Sequence, residues 1–206
     1  HRRDAISELV VLLRNGKELM VAARIAKRMR TLGMGTPQAY LRYVRQDSSG
    51  HEITCLIDAI STNVTRFFRN QRQFDRLRET VQKWVEGGQR KFRFWSAGCS
   101  TGEEPYSIAM TVLDAAPVAV LDLKILATDI STRALAVARA GVYELDDMAG
   151  ISPLFRQQYF ENVEGQGEVQ WIVRAPVREV VLFKPFNLSR FPYPMRGPMD
   201  VIFDCN

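Results

Sequence analysis

Cysteine and histidine are scarce in this 206-residue chain, which has three cysteines, at positions 55, 99 and 205, and two histidines, at 1 and 51. So thin a set assembles no zinc-type ligand spacing, and no metal site is expected. An odd number of widely spaced thiols argues against a disulfide framework and for a reducing, cytoplasmic setting. Long apolar runs are missing too. The longest, such as Leu9 to Leu13, fall far short of the roughly 18–20 residues that a membrane span needs, so no membrane insertion is expected. The N-terminus has no apolar stretch flanked by a cleavage site, which leaves export unsupported. Internal repeats and low-complexity tracts are absent. What is present is ordinary globular usage, 46% hydrophobic, 25% charged and 10% aromatic, which excludes a disordered tail, a collagen-like fibre or a disulfide scaffold.

The net charge of +5 conceals an asymmetry. Residues 1–90 hold 17 Lys+Arg against 9 Asp+Glu, and residues 91–206 hold 11 against 14. A basic half joined to a mildly acidic one implies that the first recruits an acidic partner while the second does something else.

The first ninety residues read as helices. Ile25, Met29 and Leu32 share a face of a helix over 22–32 that stops at Gly33, where a left-handed cap belongs. Thr36-Pro37 pairs an N-cap with proline at the first helical position and opens a helix whose Tyr40, Leu41 and Val44 share a face. Ile53, Leu56, Ile57 and Ile60 mark a third helix, and Phe74, Leu77, Val81 and Trp84 a fourth that ends at Gly87-Gly88. From Lys91 the period changes. Phe92–Ala97 reads as a strand, followed by a glycine-containing loop and a helix opened by Pro105; Leu123–Thr128 is a second strand ending in Asp129, with Ser131 capping a helix through Leu135 and Val137 to Gly141. This βαβα order predicts a parallel sheet. Around residues 150–185, Ser152-Pro153, the Gly165-Gln-Gly167 turn and alternating Val169, Trp171 and Val173 predict a small antiparallel insertion, after which Val180–Phe186 and Met199–Phe203 rejoin the sheet.

The segment Phe94-Trp-Ser-Ala-Gly-Cys-Ser-Thr-Gly-Glu-Glu-Pro-Tyr-Ser-Ile108 is the chemically informative one. A strand entering a glycine-rich loop that opens a helix is the usual seat of a nucleotide-type cofactor. No lysine follows the second glycine, so this is not a P-loop, and Glu103 and Glu104 stand where a pyrophosphate would lie. Two carboxylates suit a cationic ligand instead, and S-adenosylmethionine carries a sulfonium and an ammonium. Asp129 at the end of the next strand is placed to accept hydrogen bonds from ribose hydroxyls. The bland alternative is that the glutamates only complement the helix dipole and Asp129 is a turn residue.

Asn63-Val-Thr-Arg-Phe-Phe-Arg69, the Ser-Thr-Gly-Glu-Glu-Pro-Tyr-Ser core within 95–108, Ala127-Thr-Asp129 and Asn187-Leu188 closely resemble the CheR-type chemotaxis receptor glutamate methyltransferases, in the right order and over nearly the whole chain. The resemblance implies an α/β architecture: an N-terminal helical receptor-recognition domain over 1–62, a linker and helix over 63–90, and a Rossmann-like S-adenosylmethionine-dependent methyltransferase domain over 91–206 with the small antiparallel β insertion. It implies cofactor contacts from Asn63, Thr65, Arg69, Glu103, Asp129, Asn187, Leu188 and Asn206, with S-adenosylhomocysteine as product. Phe67 and Phe68 read better as core packing than as site residues. The family continues past its Cys-Arg-Asn motif into further strands, whereas Asp200-Val-Ile-Phe-Asp-Cys-Asn206 ends here, so the sheet is expected to be incomplete at its C-terminal end.

The resemblance further implies methylation of glutamate side chains on chemoreceptors, forming methyl esters in sensory adaptation. A glutamate is already ionised at pH 7, so no general base is expected and no catalytic residue is singled out. Arg24, Lys27, Arg28 and Arg30 are expected to face away from the helical core toward the receptor's cytoplasmic helices. The family's β insertion can tether a receptor's C-terminal peptide by strand addition, and not all members use it. The competing reading is a non-catalytic cofactor- or receptor-binding regulatory module of the same fold. Nucleic-acid binding ranks last, because the basic cluster is small and lacks interleaved aromatics.

Overall fold

The computed structural model describes residues 18–60, 65–116, 121–165, 168–188, 192–193, 195 and 197–204. The chain divides into two compact units, His1–Thr62 with Ile130–Thr132 and Asn187–Pro194, and Asn63–Asp129 with Arg133–Phe186 and Met195–Asn206.

The first unit contains α1 (Glu18–Thr31), α2 (Pro37–Gln46) and α3 (His51–Ile60). Gly33, at φ 67°, ends α1 in a Schellman arrangement: Met34 N donates to Met29 O and Gly33 N to Arg30 O. Thr36 caps α2 by accepting from Ala39 N. Asp47 then joins α2 to α3, its two carboxylate oxygens accepting from Ser49 N and Glu52 N. Val21, Met29, Tyr40, Leu56 and Ile60 form the core.

Two expectations fail in this unit. Leu41 is 52% exposed while Tyr40 is buried, because one residue along a helix is a rotation of about 100° and only Tyr40 and Val44 stay on the packed face. Arg24 and Arg28 do not face away from the core. Arg24 Nη1 donates to Ile60 O at 2.7 Å, and Arg28 makes a two-pronged ion pair with Glu52, Nε to Oε1 at 3.0 Å and Nη2 to Oε2 at 2.7 Å. The physical reason lies in the spacing: Arg24 and Arg28 follow the buried Val21 by three and seven residues and share its face. Lys27 and Arg30 are exposed.

The second unit is built on a four-stranded parallel sheet, order β6-β2-β1-β7, from β1 (Lys91–Ala97), β2 (Asp122–Asp129), β6 (Val181–Pro185) and β7 (Val201–Phe203). Phe92 and Phe94 on β1 are fully buried, and Trp95 Nε1 donates to Thr128 Oγ1 at 2.9 Å across the β1–β2 pair. Helices α4 (Gln71–Glu86) and α5 (Glu103–Ala115) contribute Phe74, Leu77, Val81, Ile108 and Val112 to the core, and an Arg78–Asp114 ion pair at 2.8 Å joins them. Helix α5 starts two residues earlier than Pro105 suggests, because Gly102 at φ 102° makes the turn into it. On α6 (Thr132–Ala140), Leu135 is buried but Val137 is exposed.

The antiparallel sheet begins before the expected 150, at Val142. This three-stranded sheet, order β3-β5-β4, recruits β3 (Val142–Tyr143) beside β5 (Glu168–Val173), with β4 (Phe160–Gly165) on the other side. Two residues are too few to show a period-2 pattern. Between them run α7 (Pro153–Tyr159), capped by Ser152 Oγ, and after β5 the short α8 (Ala175–Arg178).

Candidate functional site

The loop from β1 to α5 is folded by the end of β2. Gly98 N and Cys99 N both donate to Thr128 O, at 2.8 and 2.9 Å, and Ser100 N donates to Asp129 Oδ2 at 2.7 Å. These bonds hold Ser100 at φ 48°, a left-handed conformation that a non-glycine residue adopts only under such constraint. At Gly102 a Cβ would stand 2.9 Å from both Ala138 Cβ and the Tyr143 hydroxyl, so glycine is required there by space as well as by φ.

The paired glutamates have separate tasks. Glu104 Oε1 accepts from Ser96 Oγ at 2.6 Å, tying α5 back to β1. Glu103 is 5% exposed, and the Thr101 hydroxyl reaches its two oxygens at 2.9 and 2.7 Å. Burial pushes the Glu103 carboxyl above its ordinary range, the Thr101 hydrogen bond opposes this, and nearby Asp147 adds to the rise. Among the described residues only neutral donors hold this carboxylate, which leaves it electrostatically unfinished, and a cation would complete it. Cys99 is inert for a related reason: burial, then Asp129 and Glu104, drive its thiol far up.

Glu103 lines a cavity of about 500 Å³ together with Thr65, Arg66, Arg69, Asp146 and Asp147. The segment that supplies Thr65, Arg66 and Arg69 is anchored by its two phenylalanines. Phe67 is buried edge-on against Tyr143 and Phe160, with centroids at 4.8 and 5.4 Å. Phe68, at φ 51°, packs against Phe74 and Phe155 and donates its N–H to Ser107 Oγ at 3.1 Å. Both are packing residues.

The fold therefore gathers Thr65, Arg69 and Glu103 from two distant stretches of sequence into one cavity. Asp129 is buried at the base of the neighbouring loop and does not line that cavity. Asn187 and Leu188 follow β6 and belong to the first unit, where Leu188 O accepts from the Tyr193 hydroxyl at 2.9 Å. Asn63 and Asn206 lie outside the described residues. Sequence reasoning missed Arg66, Asp146 and Asp147. Asp147 Oδ2 accepts from Glu144 N at 3.0 Å in a short turn, and nothing in its local pattern announces a cavity wall.

Carboxylates and guanidinium groups facing one space suit a zwitterion that offers an ammonium and a carboxylate. Among the described residues the cavity is lined by neither histidine nor thiol.

Residues 63–206 match the family model described as CheR methyltransferase, SAM binding domain, and residues 11–61 match that of the CheR methyltransferase all-alpha domain. The chain is 38% identical over 206 residues to a probable chemotaxis protein methyltransferase of Rhizobium etli, covering 97% of this chain and 76% of that protein. It is 37% identical over 196 residues to the chemotaxis protein methyltransferase of Salmonella typhimurium, covering 95% and 67%, and 36% identical over 206 residues to that of Escherichia coli, covering 98% and 71%.

Proposed function

Because the chain belongs to the CheR methyltransferase family, we propose that the cavity walled by Thr65, Arg69 and Glu103 receives the amino-acid end of S-adenosylmethionine and that the methyl acceptor is a glutamate carboxylate. The chain is an S-adenosylmethionine-dependent methyltransferase of chemoreceptors. The observation that carries the site is the buried Glu103, without a cationic hydrogen-bond partner among the described residues, facing a cavity that also holds Arg69.

The donor set fits the cofactor. Glu103 accepts from the ammonium, Arg69 pairs with the carboxylate, Thr65 supplies a hydroxyl, and Asp129 takes the ribose hydroxyls. Asn63, Asn187, Leu188 and Asn206 complete the proposed contacts on the strength of the family resemblance. When bound, S-adenosylmethionine supplies an electrophilic methyl group on a sulfonium. An acceptor glutamate, with an ordinary pKa of about 4.3, is ionised at pH 7, so no side chain has to remove a proton. The side chains have to hold both partners in line and keep water out.

On the receptor side the exposed Lys27 and Arg30 of α1 are the proposed contacts for acidic receptor helices in the cytoplasm; Arg24 and Arg28 are committed to Ile60 and Glu52. Free Cys55 and Cys99 suit that reducing compartment. Strand β4, at one side of the small antiparallel sheet, offers an edge to which a receptor's C-terminal peptide can add.

Titration calorimetry with S-adenosylhomocysteine tests the cofactor site, with Glu103→Gln and Asp129→Ala alongside. Binding by the wild type that weakens in both variants is expected. Equal affinity in all three would remove the assigned cavity. Transfer of labelled methyl from S-adenosylmethionine to a receptor cytoplasmic fragment, as a base-labile ester, tests the acceptor; base-stable label would rule out glutamate.

A further inference from the structure

Tyr143 lies on β3, is 3% exposed and does not line the cavity, yet it touches two segments that build it. Its ring is the edge-to-face partner of Phe67, the buried anchor of the Thr65–Arg69 segment. Its hydroxyl donates to Thr101 O at 2.8 Å and lies 2.9 Å from where a Cβ on Gly102 would stand. The side chain of the same Thr101 is the hydroxyl donor to Glu103. Burial drives the Tyr143 phenol well above its ordinary pKa, so it remains a donor throughout the working pH range.

We infer that Tyr143 is a positioning residue for cofactor binding: its hydroxyl fixes the Thr101 peptide, and the Thr101 side chain in turn holds the Glu103 carboxylate at the cavity wall. This rests on reading Glu103 as a cofactor contact. Ring packing alone would not need the hydroxyl, since phenylalanine fills nearly the same volume. The groups around Glu103 are Asp146, Asp147, Arg66 and Arg69 on the cavity wall, with Thr101, Tyr143 and Cys99 behind it. Of these, the Thr101 hydroxyl is the one whose aim depends on Tyr143.

The test is S-adenosylhomocysteine affinity against pH in the full chain for the wild type, Tyr143→Phe, Thr101→Val, the double variant, Thr101→Ser and Glu103→Gln. Tyr143→Phe and Thr101→Val should each weaken binding about three- to tenfold, the worth of one neutral hydrogen bond. Each should also move the acid limb of the affinity profile to higher pH, because Glu103 loses the larger of the hydrogen bonds that oppose its burial. The double variant should bind no more weakly than Thr101→Val, and Thr101→Ser should bind like the wild type. Should the tyrosine variant fold poorly, the two threonine substitutions still read the second link, since they leave the Tyr143 ring and its carbonyl acceptor in place; wild-type affinity in Thr101→Val overturns the inference. So does an equal penalty for Tyr143→Phe with and without Thr101→Val, the mark of a purely structural role. Loss of affinity in Glu103→Gln but not in Tyr143→Phe would remove the inference and leave the cavity assignment standing. Unchanged affinity in Glu103→Gln would remove both.

Discussion

Two buried carboxylates, one in each unit, have opposite surroundings. Glu52 in the helical unit is 1% exposed and takes two hydrogen bonds from Arg28 and one, at 2.7 Å, from the Tyr40 hydroxyl. Burial alone would raise its carboxyl, but Arg28 and Tyr40 overcome that and hold it below the usual range. Glu103 in the α/β unit is almost as deeply buried, has among the described residues only the Thr101 hydroxyl as side-chain donor, and moves the other way. A buried acid with its own cation is scaffold. One without is, on the proposed reading, a receptacle, whose cost in the folded state would be recovered when a cation arrives.

The sharpest break in that comparison is Arg28→Ala, which strands Glu52; urea unfolding should register a loss of about 3 kcal/mol. Gly102→Ala comes next. Its Cβ meets atoms at 2.9 Å at φ 102°, a cost of about 2 kcal/mol accompanied by weaker S-adenosylhomocysteine binding. Glu103→Gln should shift stability by no more than about 1 kcal/mol, toward greater stability, while reducing ligand affinity tenfold or more, about the worth of a charged hydrogen bond. Acid titration sharpens the contrast. Because Glu52 is depressed in the folded state, its contribution is complete above the ordinary carboxylate pKa of about 4.3 and fades as pH falls from there through the folded value; Glu103, being raised, costs stability when ionised and is relieved earlier, as pH falls through its raised value toward about 4.3. Comparing the pH dependence of unfolding in Glu52→Gln and Glu103→Gln should reveal opposite slopes. Smallest is Lys27→Glu with Arg30→Glu, within about 0.5 kcal/mol of wild-type stability. It should slow receptor methylation at low salt, with the difference shrinking as salt is added.

The contrast between the two acids was half visible in the sequence. Thr36-Pro37 and Ser152-Pro153 announce helix starts because capping is local chemistry, and the glycine-rich loop with its two glutamates marks the site because strand, loop and helix are contiguous. Glu52 beside Ile53, Leu56 and Ile57 looks like the polar edge of an amphipathic helix, and only the arrival of Arg28 from another helix shows otherwise. The arginine falls off the face marked by Ile25 and Met29 and lies on the face marked by Val21. Tyr143 and the Asp146-Asp147 pair gave no signal, since a two-residue strand has no period and a cavity wall is assembled from segments that sequence proximity does not relate.

Asp129 carries a consequence for how descendants of this fold should be read. The oxygen that accepts the Ser100 amide shapes the loop before any nucleoside is present, so a lineage that abandoned methyl transfer would still be selected to keep an acceptor at that position. An acid retained there is a fossil of the loop as much as a mark of chemistry. Glu103, whose side-chain donor among the described residues is the Thr101 hydroxyl, would on the proposed reading be the residue free to drift once the cofactor is gone.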